Sequence, residues 1–194
     1  RQDTLHLYRQ DSLHTAFDSI VRHQETRTIP VMKDKLNGVG VSYYLEPDYA
    51  PYAKDLFGKT PAMIHFFSER LGVPYPWEKY AQVVVRDYVS GAMENTSATL
   101  HGESVQKNRR ELLESPNDDI ISHELFHQWF GDLVTCRAWS QLVLNEGFAT
   151  LGEYLWKEQT GGRDALQEKT SQSLAAYLHY AKDLEDKPVI RYDY

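Results

Sequence analysis

Residues 123–127 read His-Glu-Leu-Phe-His, and this string restricts the fold more than any other feature of the 194-residue chain. On an α-helix, positions i and i+4 lie on one face, one turn apart. Both imidazoles therefore reach a single ion only if the segment is helical. The run Ser115-Pro116-Asn117-Asp118 is a strong helix start, and Gly131 is a plausible stop. Glu124 sits on the rim of the same face, which suits a carboxylate that touches water at the ion rather than the ion itself. Catalytic zinc takes three protein ligands and keeps a fourth position open. Glu146 follows His127 by nineteen residues. That gap holds the end of one helix, a connection and the start of a second helix, which packs back antiparallel and returns its carboxylate to the two histidines. Glu153, two turns further along the second helix, is placed to accept a hydrogen bond from the free ring nitrogen of a zinc histidine. The competing reading of Glu153 is a solvated helix glutamate.

With 8 histidines in the chain, such a string arises by chance in roughly two chains per hundred, so the string alone is not enough. Its helical placement and the spaced Glu146 carry the metal reading. His6, His14, His23, His65, His101 and His179 have no partner at ligand spacing and read as surface or core histidines. One cysteine, Cys136, excludes an internal disulfide framework and a cysteine-rich zinc site. The net charge of −7 argues against nucleic acid and anionic membranes, because it repels phosphate. No apolar run reaches membrane-spanning length, and no signal-peptide pattern opens the chain. A soluble protein is expected, cytoplasmic or exported, and a start at Arg1 points to a cut or processed chain.

Elsewhere the pattern is that of an α+β domain, a small mixed sheet followed by helices. Val39–Leu45 reads as a strand, and Gln82–Val89 as another, buried on both faces through Val83, Val84 and Val85. A helical pattern runs from Ala50 to Leu71, with Pro61 starting its main part and Gly72 ending it. The later helices are expected at about Gln141–Gln159, ending at Gly161-Gly162, and at about Asp164–Asp183. Residues 1–38 form an unassigned N-terminal segment, with a short helix possible after Ser12, and Pro188–Tyr194 reads as extended chain.

Three ordered motifs resemble one family. The run His-Glu-Leu-Phe-His-Gln-Trp-Phe-Gly-Asp at 123–132, with Leu-Asn-Glu-Gly-Phe-Ala at 144–149, is similar to the aminopeptidase N family of gluzincin metallopeptidases. Gly91-Ala92-Met93-Glu94-Asn95 matches that family's second signature, upstream of the zinc helix, and Pro74-Tyr75-Pro76-Trp77-Glu78-Lys79-Tyr80 is also family-like. The resemblance covers about Val39 to Tyr194. It implies that 39–194 is a thermolysin-like catalytic domain, truncated at its C-terminal end, with one zinc ion on His123, His127 and Glu146. It implies peptide substrates with a free N-terminus, whose ammonium Glu94 binds within the Gly91–Asn95 loop, and backbone pairing of substrate along Gly91, Ala92 and Met93. Without the resemblance, Glu94 would read as an ordinary loop carboxylate.

The resemblance further implies Glu124 as general base toward water and proton donor to the leaving amine. The family's Tyr-x-Lys-Gly tyrosine has no match. Tyr192 and Tyr194 are not followed by Lys-Gly, so that residue is expected beyond residue 194, together with flanking domains of the parent chain. Val143 stands where the family usually has Trp, a change expected to affect packing alone. Rival readings are an epoxide hydrolase sharing this zinc site, a non-catalytic binding module with the same fold, and a thermolysin-type endopeptidase. Intact His123, Glu124, His127 and Glu146 disfavour the second, and the Glu94 motif disfavours the third.

Overall fold

Strand β3, Lys79–Val85, lies at the centre of a five-stranded sheet. The computed structural model that shows it describes residues 29–36 and 38–181, so the expected helix after Ser12 and the extended 188–194 segment fall outside the described residues. The other strands are β1 (Ile29–Leu36), β2 (Val39–Leu45), β4 (Ala92–Met93) and β5 (Ala98–Gly102). Their order is β1-β2-β3-β5-β4. β3 runs parallel to β2 and β5, and the two outer pairs are antiparallel, so the sheet is mixed as expected. Val83, Val84 and Val85 are all buried, which a consecutive β-branched run needs when both faces of a strand are covered. The strand starts three residues earlier than the sequence suggests and stops at Val85, ahead of Asp87 with its φ of 48°. β1 lies inside the 1–38 segment, in which the sequence reading places no strand. β4 is two residues long, and β5 carries alanine, histidine and glycine, so neither has the β-branched alternation that marks a strand.

The chain divides into two compact units: residues up to Ala62 with Trp77–Asn117, and Met63–Pro76 with the residues from Asp118 onward. In the first unit, Tyr43 of β2 stacks on Phe57 with ring centroids 5.6 Å apart. Phe57 belongs to α1 (Ala53–Phe57), which follows a 3₁₀ turn at Pro47–Tyr52. The single helix expected from Ala50 is therefore broken, and its main part is α2, Thr60–Leu71, with Pro61 in the first turn and Gly72 just past the end. A short helix not anticipated from the sequence, α3 (Arg109–Glu114), carries a reciprocal cap: Asn108 accepts from the Arg110 and Glu111 amides, and Glu111 accepts from the Asn108 amide.

The second unit contains α4 (Asp118–Phe126), a 3₁₀ turn at Trp139–Leu144, and α5 (Glu146–Ala181). The two helices expected after Gln141 are the two arms of α5, separated by a kink, although the first begins at Glu146 after the 3₁₀ turn. Gly162 has φ 74° and ψ −171°, a conformation that only glycine adopts cheaply, and it redirects the chain where the Gly161-Gly162 break was read. The core is aromatic. Phe67 meets Phe126 edge-on at 4.9 Å, Trp129 lies 6.3 Å from Phe67, and Phe66 lies 5.8 Å from Trp156. α4 and α5 approach closely at Gly152, where a Cβ would sit 2.6 Å from the Phe126 ring. No helix among the described residues is long and apolar enough to cross a membrane.

The Gly152 contact is directly testable. Alanine is the better helix former by about 1 kcal/mol, yet overpacking a tight contact costs about 1–3 kcal/mol. Gly152→Ala is expected to lower the urea midpoint with an unchanged m-value. A variant more stable than the wild type by the full gain in helix propensity, about 1 kcal/mol, would contradict a close contact there.

Candidate metal centre

α4 presents His123 and His127 on one face because they are one turn apart, with their rings 4.9 Å apart. α4 ends at Phe126, but the His127 amide still donates to the His123 carbonyl at 3.2 Å, and the following turn tightens to the 3₁₀ pattern. Glu146 is the first residue of α5. Asn145 anchors that helix start: its Oδ1 accepts from the Cys136 amide at 3.1 Å, and its carbonyl accepts from the Ala149 amide at 3.0 Å. An aromatic stack spans the same junction. Phe130 lies 5.5 Å from Phe126 and 4.4 Å from Phe148, near parallel to both.

The antiparallel return anticipated from the nineteen-residue gap brings the three groups together. One ligand atom from each of His123, His127 and Glu146 lies within 4.8 Å of the others. Glu146 Oε2 is 3.2 Å from His123 Nε2 and 3.6 Å from His127 Nε2. The far side of each ring explains which nitrogen faces inward. His123 Nδ1 donates to Glu153 Oε1 at 2.7 Å, and His127 Nδ1 donates to the Phe130 carbonyl at 3.0 Å. A carboxylate and a carbonyl only accept, so each Nδ1 carries the hydrogen, and each neutral ring turns an Nε2 lone pair toward Glu146. The convergence accommodates a cation: a proton between His123 Nε2 and Glu146, or a metal ion on all three atoms. Two imidazoles and one carboxylate are the donor set that suits zinc, so these residues fit the ion that the sequence implies.

The surrounding charge has the same sense. Burial alone would lower the His123 pKa, but the hydrogen bond to Glu153 and the carboxylates of Glu124, Glu153 and Glu146 outweigh it, and the ring is held above its ordinary 6.5. Burial alone would raise the Glu153 pKa, but hydrogen bonds from His123 and Lys169 outweigh it and hold the group below its ordinary 4.5. Protons and metal compete for the same Nε2 atoms, so an environment that favours a cation serves either. Glu124 follows His123 on α4, is 7% exposed, and its carboxylate is among the charges that raise the His123 pKa.

The other anticipated residues lie in the first unit. Ala92 and Met93 form β4, paired antiparallel with His101 and Leu100 of β5. Gly91 precedes β4 and its carbonyl accepts from the Gly102 amide at 2.9 Å, while the Asn95 carbonyl accepts from the Ala98 amide at 2.8 Å. β4 is last in the sheet order, so its outer side is an edge among the described residues, and half-buried Glu94 follows it directly. Of the two expected roles, surface or core, His101 takes the core one. It is fully buried, its Nε2 accepts from Gln82 Nε2 at 3.0 Å, and burial pushes its pKa down to about 3. Val143 is 40% exposed, and its Cγ2 would lie 2.9 Å from a Cβ on Gly147.

Sequence reasoning did not find Asn145 as an anchor, the Phe130 carbonyl or Lys169. A backbone acceptor leaves no residue-type signal, and Lys169 lies beyond the kink at Gly162.

The shifted pKa values fix a pH window for the metal-free protein. The raised His123 value gives stability that is present below the ordinary 6.5 and lost as pH rises through the folded value. The lowered Glu153 value gives stability that is present above the ordinary 4.5 and lost as pH falls through the folded value. Both contributions are complete only between those two ordinary values. The stability difference between metal-free wild type and Glu153→Gln, measured by urea unfolding, is expected to peak there and shrink on either side. A difference independent of pH would contradict the pairing.

Comparison with known proteins places these features in a family. Residues 56–190 match the Peptidase family M1 domain. The chain is 37% identical over 129 residues to endoplasmic reticulum aminopeptidase 1 from Mus musculus, covering 64% of this chain and 14% of that protein. It is 41% identical over 106 residues to aminopeptidase N from Canis lupus familiaris, covering 50% and 10%. It is 32% identical over 128 residues to glutamyl aminopeptidase from Bos taurus, covering 61% and 13%. The chain thus spans 10% to 14% of the length of these curated relatives.

Proposed function

The chain belongs to peptidase family M1, and on that premise we propose that it carries the zinc-binding and proton-transfer machinery of a metallo-aminopeptidase with a thermolysin-like catalytic domain at 39–194. The observation that carries the reading is the convergence of His123 Nε2, His127 Nε2 and a Glu146 oxygen, with both Nδ1 atoms engaged by acceptors. These three residues would hold one zinc ion. When bound, zinc supplies a Lewis acid for the scissile carbonyl and lowers the pKa of water.

The chain's own groups do the rest. Glu153 and the Phe130 carbonyl keep both imidazoles in the tautomer that offers Nε2. Glu124 takes the proton of the attacking water and returns it to the leaving amine. The open side of β4 offers backbone groups of Gly91, Ala92 and Met93 to an extended peptide as an added strand. Glu94, with Asn95 beside it, ends that edge. There its carboxylate anchors the substrate's terminal ammonium. Three relatives whose names include the word aminopeptidase support this choice over an endopeptidase. Flanking domains in the parent protein are part of the proposal, in keeping with the small share of the relatives that the chain spans.

Two substitutions in the full-length protein test the roles. Glu124→Gln is expected to retain zinc and to lower kcat by roughly 10²–10⁴, the usual worth of a positioned acid–base group. Unchanged kcat removes Glu124 from the proton path, and loss of zinc makes it structural. Glu94→Ala is expected to raise KM for aminoacyl substrates, and N-acetylated peptides should be poor substrates of the wild type. Equal cleavage of acetylated and free peptides by the wild type would contradict the ammonium anchor.

A further inference from the structure

Lys169 lies in residues 163–181 of α5, beyond the Gly162 kink, and its side chain is only 12% exposed. A lysine this enclosed requires partners, because its ammonium leaves water and its four-carbon stem loses rotamers. It has two carboxylates. Nζ donates to Asp119 Oδ2 at 2.8 Å and to Glu153 Oε2 at 2.9 Å. The ammonium also lies 5.2 Å from the centroid of the Tyr154 ring.

An ion pair that ties helices together is the simpler account of such a lysine. The geometry at Glu153 adds something that account does not need. The two oxygens of that carboxylate are divided: Oε2 takes Lys169, and Oε1 takes His123 Nδ1 at 2.7 Å. A carboxylate held by one donor can rotate about its last bond. Held by a donor on each oxygen, its plane is fixed, and so is the direction from which it receives the His123 hydrogen. The line runs from Lys169 through Glu153 to His123, whose Nε2 stands 3.2 Å from Glu146. Asp119, on the first turn of α4, holds the lysine from the other side, four residues before His123.

We propose that Lys169 is a positioning residue of the metal centre: it fixes the Glu153 carboxylate so that His123 Nε2 is held toward His127 and Glu146. The inference rests on reading that triad as the zinc ligands. It makes the helical segment after Gly162 part of the site, because the turn at Gly162 sets where Lys169 arrives.

The test measures zinc affinity of the metal-free full-length protein by chelator competition, with zinc alone as the probe. Outer partners of zinc histidines are worth roughly 10- to 100-fold in affinity. Glu153→Gln is expected within that range, and K169M, which keeps the aliphatic stem, near its lower end at about tenfold. If Lys169 acts through Glu153, the double variant binds zinc no more weakly than Glu153→Gln alone. K169R, which can also bridge two carboxylates, recovers most of the loss. The visible bands of the cobalt-loaded protein shift in K169M, since they report the ligand field. A purely structural lysine would change thermal unfolding but leave these bands and the coupling unmoved. If K169M does not fold, Lys169→Gln carries the same comparison. Wild-type zinc affinity in the lysine variants, or losses that multiply in the double variant, would overturn the inference while leaving the zinc triad standing. A wild-type protein that binds no zinc would overturn both.

Discussion

The second unit is organised around a conflict that a cation resolves. His123 Nε2, His127 Nε2 and Glu146 Oε2 all present electron density to the same small volume, because each ring has committed its other nitrogen to an acceptor. Such an arrangement favours a cation, whether a proton between His123 and Glu146 or a divalent ion on all three groups. Much of the neighbouring structure maintains it. Gly152 lets α5 approach the Phe126 ring, the Phe126–Phe130–Phe148 stack closes the junction between the helices, and Asn145 sets the start of α5 so that Glu146 faces α4.

The centre was largely legible in the sequence because helix geometry is regular. His123 and His127 need only the i, i+4 rule, Glu146 needs only a gap long enough for a return, and Glu153 follows by two turns. The rest was hidden for identifiable reasons. Lys169 reaches Glu153 only because Gly162 departs from helical geometry, and a periodic reading of α5 cannot follow the chain through that turn. The Phe130 carbonyl is a backbone group, carrying no signal of residue type. In the sheet, β3 announced itself through three consecutive valines. β4 and β5 were silent, since two residues are too few for alternation and Ala98–Gly102 has a single β-branched residue, Thr99. Glu94 drew attention through its motif alone, as part of the Gly91–Asn95 signature.

Burial and charge also sort the histidines by role. His101 is fully buried beside the Gln82 amide, with a pKa pushed down to about 3, and stays neutral. His123 is partly exposed among carboxylates and is held above its ordinary value. The same side chain is thus a core element in β5 and a cation acceptor in α4. What separates the two is the presence of anionic groups at bonding distance, since desolvation acts on both.

The central claim is that one zinc ion rests on two imidazoles and one carboxylate of this chain. X-ray absorption at the zinc edge, on the purified full-length protein with its metal content determined, tests it most directly. The account requires one zinc per chain, with a first shell of two imidazole nitrogens and oxygen ligands, and loss of the carboxylate contribution in Glu146→Ala. A protein without stoichiometric zinc, or a first shell containing sulfur or a single imidazole, would contradict it.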